Sequence, residues 1–292
     1  MLTSAKMSRK KGEKRLPQGN HCLQKKGYLV QVEPLKKTIE AVLLSAYIKD
    51  EKPISLLIVA KPESGKTSVM ALYKETKGVV WVTDCTAHGL QTEMLPKIVT
   101  GEKKTLMIPD LTTPLAKQTK TRQALVAFLN NLIEEGVAKI TTYAMMWDKE
   151  VKANLITALT KDKLEDERHD WAGMGFTSRF LCFSYSYDEE TVDRILEGYS
   201  EHGLKLESVN LRIPKKPVDI TLSKEMADRL TPIAKEIGKR FKLYGIRAKI
   251  NLRVLLKALA LRNRHDQVTE ADYRELLELS KYFNFNCRGI ER

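Results

Sequence analysis

Residues 60–67, Ala-Lys-Pro-Glu-Ser-Gly-Lys-Thr, directly follow a short apolar run and have the composition of a phosphate-binding loop. Gly65 permits a turn whose backbone N–H groups face an anion, Lys66 offers a positive charge, and the Thr67 hydroxyl suits Mg²⁺. Ala60 stands where such loops usually begin with glycine, and its small side chain permits the turn. The sequence therefore predicts binding of ATP and Mg²⁺, and a chance Gly-Lys-Thr turn is the alternative. The expected nucleotide contacts are Ala60, Lys61, Pro62, Glu63, Ser64, Gly65, Lys66, Thr67 and Ser68.

Asp110 is the second candidate, because it lies just after the apolar run at residues 105–108. A carboxylate at the end of a strand can hold Mg²⁺ through water or together with the loop threonine. A turn or helix-capping aspartate is the alternative interpretation. The next residue is Leu111 rather than a glutamate that would activate water, so we expect slow hydrolysis or another base, for which Asp84 and Glu93 are the candidates.

A scaffold of alternating strands and helices is predicted for the first 213 residues. Strands are expected at 54–59, 79–82, 105–108 and 180–187, and helices at 34–48, 67–75, 90–100, 122–135, 161–171 and 189–199. Residues 140–147 and 154–160 are expected to pair as a hairpin around the charged turn 148–152. The pattern predicts an α/β fold, with a parallel sheet flanked by helices and ligands at the carboxyl ends of its strands.

The pattern changes after residue 213, where only helices are expected, at 223–242, 247–263 and 269–283. Thr269 followed three residues later by Asp272 resembles a capping box at the start of the last helix. The expected organisation is a basic arm at 1–27, an α/β nucleotide-binding domain at 28–213 and an all-α lid at 214–292.

The chain is basic, with a formal net charge of +13, which is typical of proteins that contact phosphate backbones. Much of the positive charge lies in the first 26 residues, either as a nucleic-acid contact or as a solubilising tail. The apolar runs are shorter than the ~20 residues that a membrane span needs, and the N-terminus lacks the apolar centre of a secretory signal. Four cysteines without metal-ligand spacing indicate reduced thiols, so we expect a cytoplasmic protein with no membrane contact.

The order of these parts resembles the AAA+ ATPases, which combine a phosphate-binding strand, an aspartate-terminated strand, a hairpin, a sensor strand, an arginine before the fifth strand, and a helical lid. The hairpin resembles that of the clade containing the minichromosome maintenance helicases. Residues 175–180, Gly-Phe-Thr-Ser-Arg-Phe, resemble the Ser-Arg-Phe arginine finger of that clade, and residues 245–247, Gly-Ile-Arg, resemble its sensor 2 helix. Residues 176–187 also resemble ATPases of bacteriophages and mobile elements.

The resemblance implies roles for three further residues. Arg179 would contact the γ-phosphate bound by a neighbouring subunit, or else be a surface arginine paired with an acidic residue at 188–189. Arg247 would contact the γ-phosphate in its own subunit, with Arg253 as the second choice. Thr160 lies where the sensor 1 residue belongs, although the family usually has asparagine there and a threonine commonly ends a strand.

The hairpin turn is expected to present Lys149 and Lys152 to DNA, although lysines at an exposed turn are often simply solvated. The leading hypothesis is an AAA+ ATPase that assembles into a ring or filament, such as a hexamer, and remodels or translocates on nucleic acid, with DNA as the favoured partner. The alternative is an ATP-dependent oligomeric switch that recruits a protein partner with little hydrolysis. A P-loop kinase for a small molecule is a third hypothesis, disfavoured by the helical C-terminal region.

Overall fold

The computed structural model describes residues 29, 31–136, 139–142, 145–148, 151–202 and 208–284. The strands are β1 (Ser55–Val59), β2 (Val79–Trp81), β3 (Thr105–Ile108), β4 (Lys139–Thr142), β5 (Met145–Asp148), β6 (Asn154–Leu159) and β7 (Phe180–Ser184). The α-helices are α1 (Glu33–Ser45), α2 (Lys66–Ala71), α3 (Ala87–Gly89), α4 (Leu95–Val99), α5 (Thr112–Leu115), α6 (Thr119–Asn130), α7 (Lys161–Gly173), α8 (Glu189–His202), α9 (Lys224–Phe241), α10 (Ile246–Arg262) and α11 (Glu270–Ser280). The π-helical segments Leu90–Met94 and Asn131–Glu135 follow α3 and α6, and the 3₁₀ turn Thr177–Arg179 precedes β7.

Five strands form one parallel sheet in the order β2-β3-β6-β1-β7. The central strands β1, β3 and β6 are buried along their whole length. Strands that are covered on both faces form continuous apolar runs, and the crossovers between parallel strands place helices on those faces. The predicted α/β fold with a parallel sheet flanked by helices is confirmed.

Alternate residues of β1 belong to the two hydrophobic clusters of the molecule. Leu56 and Ile58 pack with α1, α2 and the C-terminal helices, whereas Leu57 and Val59 pack with the helices between β2 and β7. Successive side chains of a strand point to opposite faces, so β1 contributes to the core on both sides of the sheet. The sheet is therefore a rigid central layer from which loops project at either edge.

The C-terminal helices share a core with the α/β part of the chain. α10 packs against α1 as well as against α9 and α11. Leu252, Leu255 and Leu259 of α10 are fully buried in the same cluster as Ile39 and Val42 of α1. The predicted capping box is confirmed at the start of α11. Within the described part of the chain, no helix has the length and hydrophobicity needed to cross a membrane.

The hairpin predicted from residues 140–147 and 154–160 is wrong. β4 pairs with β5 in antiparallel register, with Ile140 opposite Trp147, so the first stretch folds back on itself. β6 instead lies between β3 and β1 in the parallel sheet, and all six of its residues are buried. A strand so apolar is stable only when both of its faces are covered, which a two-stranded hairpin cannot provide.

The lysines expected at the hairpin turn are affected by this correction. The paired strands are residues 139–142 and 145–148, so residues 148–152 are not the turn between them. Lys152 is half-buried and precedes β6, so it lies at the amino edge of the parallel sheet. Lys149 lies outside the described residues. The structure therefore removes Lys152 from a hairpin tip and leaves its DNA contact a prediction.

Candidate functional site

The candidate phosphate-binding loop, residues 60–65, connects the end of β1 to the start of α2, which is the position that the sequence predicts. Gly65 precedes α2 with a φ of 79°, a left-handed conformation that favours glycine. A Cβ atom at Gly65 would lie 3.3 Å from Cδ2 of Leu29, so the loop is also closely packed there. Ala60 is fully buried, and its N–H donates to the Leu159 carbonyl of β6 at 3.4 Å. The alanine in place of the usual first glycine is accommodated at the strand end.

The ammonium of Lys66 lies on the inner side of this loop. Nζ donates to the carbonyls of Ala60 at 2.9 Å and Lys61 at 2.6 Å, and to Oγ of Ser64 at 3.2 Å. The lysine therefore curls back towards the residues that precede it, rather than extending along α2. Two carbonyls and a hydroxyl of the loop therefore hold this positive charge close to the end of β1.

Two tyrosines that the sequence reasoning missed hold the loop in place. The hydroxyls of Tyr185 and Tyr187 both donate to the Ser64 carbonyl, each at 2.8 Å. Burial raises the pKa of both phenols, so both remain protonated donors at neutral pH. Both residues follow β7, which pairs with β1, and their alternate spacing directs both side chains to one face. That spacing beside the loop strand was the available signal.

Asp110 and the loop lie at the same edge of the sheet. β6 separates β1 from β3, and its end bonds to both neighbours: the Leu111 N–H donates to the Ala158 carbonyl at 3.1 Å, just as Ala60 bonds to Leu159. With strands about 4.8 Å apart, the ends of β1 and β3 are about 10 Å from each other. That distance suits a carboxylate that acts on a metal ion through water.

Asp110 has the local role weighed as its alternative, whereas Thr160 follows the end of β6 and also has a capping role that the sequence reasoning did not consider. Oδ1 of Asp110 accepts a hydrogen bond from the Thr112 N–H at 2.8 Å, as in an aspartate turn. Oγ1 of Thr160 accepts one from the Lys163 N–H at 3.3 Å, which caps the start of α7. A carboxylate has about four acceptor positions, so the turn leaves Asp110 able to accept further bonds.

The donors at this edge suit Mg²⁺. Thr67, in the first turn of α2, and Asp110 are both exposed, and they offer a hydroxyl and a carboxylate. Mg²⁺ keeps several waters and binds through one or two protein oxygens plus substrate phosphates. Within the described ranges, no group of three or more His, Cys, Asp and Glu residues that could hold a metal occurs.

Arg179 lies at the opposite edge of the sheet from the loop. It directly precedes β7, and the register pairs Phe180 with Ser55 at the start of β1. In this register Arg179 lies opposite residue 54, which is six residues before Ala60 along β1. At 3.3 Å per residue, Arg179 is therefore about 20 Å from Ala60 along the sheet. Asp188 lies beyond the other end of β7 and caps α8, so the alternative pairing of Arg179 with residues 188–189 is not what the structure shows. Nη1 of Arg179 instead donates to the Gly175 carbonyl at 2.7 Å.

Arg247 lies beside Arg179 and not beside the loop of its own chain. Nη1 of Arg247 donates to Oγ of Ser178 at 2.7 Å, and its Nε is 3.5 Å from Oε1 of Glu134. The arrangement does not provide the contact expected within one subunit, because α10 starts at the amino edge. The second choice, Arg253, bonds to Glu51 at 2.7 Å, just before β1, and so lies at this edge as well.

Glu134 is the carboxylate around which these cations gather. Lys52 forms an ion pair with it, and Arg247 and Arg179 act on it as well. Burial alone would raise the pKa of Glu134, but Lys52, Arg247 and Arg179 hold it below its usual range. The pKa of Lys52 is lowered by burial, and Arg247 and Lys152 contribute in the same direction. The amino edge therefore carries several cations grouped around one glutamate.

Comparison with known proteins adds no family assignment. No protein-family model matches this chain, and no curated protein is significantly similar to it. The function is therefore inferred from the residues and their geometry: a phosphate-binding loop with Asp110 and Thr160 at the carboxyl edge, and Arg179 with Arg247 at the amino edge.

Proposed function

We propose that this chain is an ATPase of the AAA+ type, which binds ATP with Mg²⁺, assembles head to tail, and acts on nucleic acid, with DNA as the favoured partner. The observation that carries the proposal is the loop at residues 60–67. In this loop the ammonium of Lys66 donates hydrogen bonds to the carbonyls of Ala60 and Lys61. The order of parts along the chain agrees with the resemblance to AAA+ ATPases.

Each residue of the carboxyl edge has a defined task in this proposal. Lys66 binds and neutralises the β and γ phosphates, while the N–H groups of the loop orient them. Thr67 and Asp110 hold Mg²⁺, which neutralises charge as it develops on the transferred phosphoryl group. Thr160, which directly follows the strand β6 between them, orients the attacking water with its hydroxyl in this proposal.

Assembly follows from the position of the arginines. Arg179 and Arg247 are cations of the kind that stabilises a transferred phosphoryl group, yet they lie about 20 Å along the sheet from their own loop. A second copy would complete the site by placing its amino edge against the carboxyl edge of the first. Repetition of such a contact produces a ring or a filament, such as a hexamer.

A second candidate function is an ATP-dependent oligomeric switch that recruits a protein partner and hydrolyses ATP slowly. The observation that favours it is Leu111, which is fully buried where an activating glutamate would stand. Asp84, one of the two candidate bases, forms an ion pair with Lys117 at 2.7 Å. A carboxylate paired in this way is a weaker general base than one held against the attacking water.

The test of nucleotide binding is Lys66→Ala, with Lys61→Ala as the matched control. Lys61 belongs to the same loop, but it is exposed and contributes its carbonyl rather than its ammonium. Loss of a charged phosphate contact costs about 1.5–3 kcal/mol, so Lys66→Ala should weaken ATP binding by at least about tenfold in calorimetric titration. Equal affinity of the two variants for ATP would refute the site.

Turnover with and without DNA separates the motor from the switch. A motor should hydrolyse ATP faster when single- or double-stranded DNA is added, with an affinity that falls steeply as salt is raised. A switch should show slow turnover that DNA does not change, together with ATP-dependent assembly. Absence of DNA binding even at low salt would refute the nucleic-acid part of the proposal while leaving ATP binding intact.

A further inference from the structure

Helix α8 presents apolar side chains to solvent. Among residues 189–200 only Thr191 is buried, whereas Val192 is 42% exposed, Leu196 61% and Tyr199 42%. The spacing of these three residues by four and three places them on one face of the helix. A helix of 14 residues is marginal without tertiary packing, so an apolar face of this kind is stabilised when another surface covers it.

A second exposed apolar surface lies at the corner between α9 and α10. Leu243, Tyr244, Ile246 and Ile250 are exposed there, and Tyr244 reaches 95%. The corner is closely packed at its base, because a Cβ atom at Gly245 would lie only 2.6 Å from the Ala234 carbonyl oxygen.

A cavity of about 310 Å³ opens beside this corner. It is lined by aromatic and apolar side chains, including Phe180, Ile237, Phe241 and Tyr244. Large patches of exposed apolar surface mark interaction sites, and aromatic residues in pockets supply most of the binding energy at interfaces.

The two surfaces have opposite charge. Residues 188–202, which include α8, contain six aspartates and glutamates and one arginine. Lys239, Lys242 and Lys249 lie at the corner, whereas Arg240, Arg247, Arg253, Lys257 and Arg262 form ion pairs with acidic residues outside residues 237–265. An apolar centre with a charged rim of opposite sign on the partner is the usual organisation of a specific interface.

The positions of the two surfaces relate them to the candidate site. α8 begins two residues after Tyr187, which bonds to the phosphate-binding loop. The corner includes Arg247, which bonds to Ser178 next to Arg179. A corner that docks on α8 of another copy therefore brings its two arginines to the loop edge of that copy.

We propose that the α9–α10 corner of one copy docks on α8 of the next, and that this contact is the head-to-tail interface of the assembly. The inference deepens the proposed function and rests on it, because it names the surfaces through which Arg179 approaches the ATP of a neighbour. Since the two surfaces differ, the contact is heterologous and can propagate through many copies.

The test uses Leu196→Asp on α8 and Tyr244→Asp at the corner, with Leu277→Asp of α11 as the matched control. Leu277 is also an exposed apolar side chain, 37% exposed, and it lies outside both surfaces. Sedimentation velocity with a non-hydrolysable ATP analogue should show large assemblies for the wild type and the control. A central interface residue is worth about 2 kcal/mol, so each of the other variants should associate about 30-fold more weakly.

Mixing the two variants gives the decisive result. Each variant keeps one intact surface, so an equimolar mixture should form a dimer through the corner of Leu196→Asp and the α8 of Tyr244→Asp, and grow no further. Failure of the mixture to form this dimer, assembly of either variant alone, or a monomeric wild type would overturn the proposal.

Nucleic acid is the competing occupant of the basic corner. A variant Tyr244→Asp that loses DNA affinity but assembles like the wild type would assign the corner to DNA and overturn the proposal. Titration of the ATP analogue on the same samples separates this outcome from failure of the proposed function. Normal ATP binding without assembly refutes the interface alone, whereas loss of ATP binding in the wild type refutes the nucleotide site.

Discussion

The double hydrogen bond on the Ser64 carbonyl makes a sharp prediction about how the phosphate-binding loop is held. The perturbation is a pair of substitutions, Tyr185→Phe and Tyr187→Phe, made singly and together. Each removes one hydroxyl that donates at 2.8 Å and leaves the ring, and the two rings remain in edge contact with centroids 5.6 Å apart. The variants therefore change the hydrogen bonding of the loop while preserving the packing around it.

The magnitudes follow from the two lone pairs of a carbonyl oxygen. A single substitution leaves the Ser64 carbonyl bonded to the remaining tyrosine, so it should cost about 0.5–1.5 kcal/mol. The double substitution leaves a buried acceptor without either donor, which adds about 1–3 kcal/mol. We therefore expect the double variant to lose about 1 kcal/mol or more beyond the sum of the single variants, measured as free energy of unfolding in urea.

The same double-mutant cycle is measured in ATP affinity, because the Ser64 carbonyl lies in the loop that we propose to bind phosphate. The double variant should bind ATP about tenfold more weakly, and each single variant only a few-fold more weakly. Tyr273→Phe is the control, since its hydroxyl donates at 3.3 Å to the Arg229 carbonyl in the helical region. That control should lose some stability at constant ATP affinity. Additive effects in both assays, or unchanged ATP affinity in the double variant, would refute the clamp.

Two further predictions concern the shared site and the pH dependence of stability. If Arg179 acts on a neighbour, mixtures of Arg179→Ala with Lys66→Ala should recover part of the ATPase activity, and inactivity at every ratio would contradict a shared site. Asp272 is fully buried; burial alone would raise its pKa, but hydrogen bonds from Asn263, His265 and Thr269 outweigh burial and hold the pKa below its ordinary value of 3.8. A lowered pKa stabilises the fold above 3.8 and ceases to do so as the pH falls through the folded value. Asp272→Asn should therefore cost about 2–3 kcal/mol at pH 7 and progressively less below pH 3.8, and a constant difference across that range would contradict the reasoning.

The features that the sequence predicts correctly are those encoded by neighbouring residues. The loop at 60–67 and the capping box at Thr269 each depend on a few consecutive side chains, and both are found where the sequence indicates. The buried strands are equally local, since continuous apolar runs between turn residues suffice to predict them. Membership of the AAA+ family and action on nucleic acid stay predictions. Neither follows from the fold alone, and action on nucleic acid depends on a ligand and a partner.

The features that the sequence could not predict depend on tertiary packing. The hairpin error arises because an apolar stretch such as residues 154–159 suits either an edge hairpin or a central strand, and only the completed sheet decides between them. The clamp of Tyr185 and Tyr187 requires that β7 pair with β1, which no local pattern specifies. The position of Arg247 could not be predicted for the same reason, since the packing of α10 against α1 decides at which edge of the sheet this arginine lies.

The separation of Arg179 from the loop has a simpler origin than the position of Arg247. In a parallel sheet, residues that precede a strand and residues that follow a strand lie at opposite edges. The loop follows β1 and Arg179 precedes β7, so the two had to be separated by the length of a strand once both strands joined the same sheet. Arg247 then adds to the charge at Arg179, and Glu134 balances only part of it. Several cations and an exposed apolar corner at one edge, and the proposed phosphate-binding loop at the other, give the molecule two unlike ends. Unlike ends favour head-to-tail contact over pairing of identical surfaces.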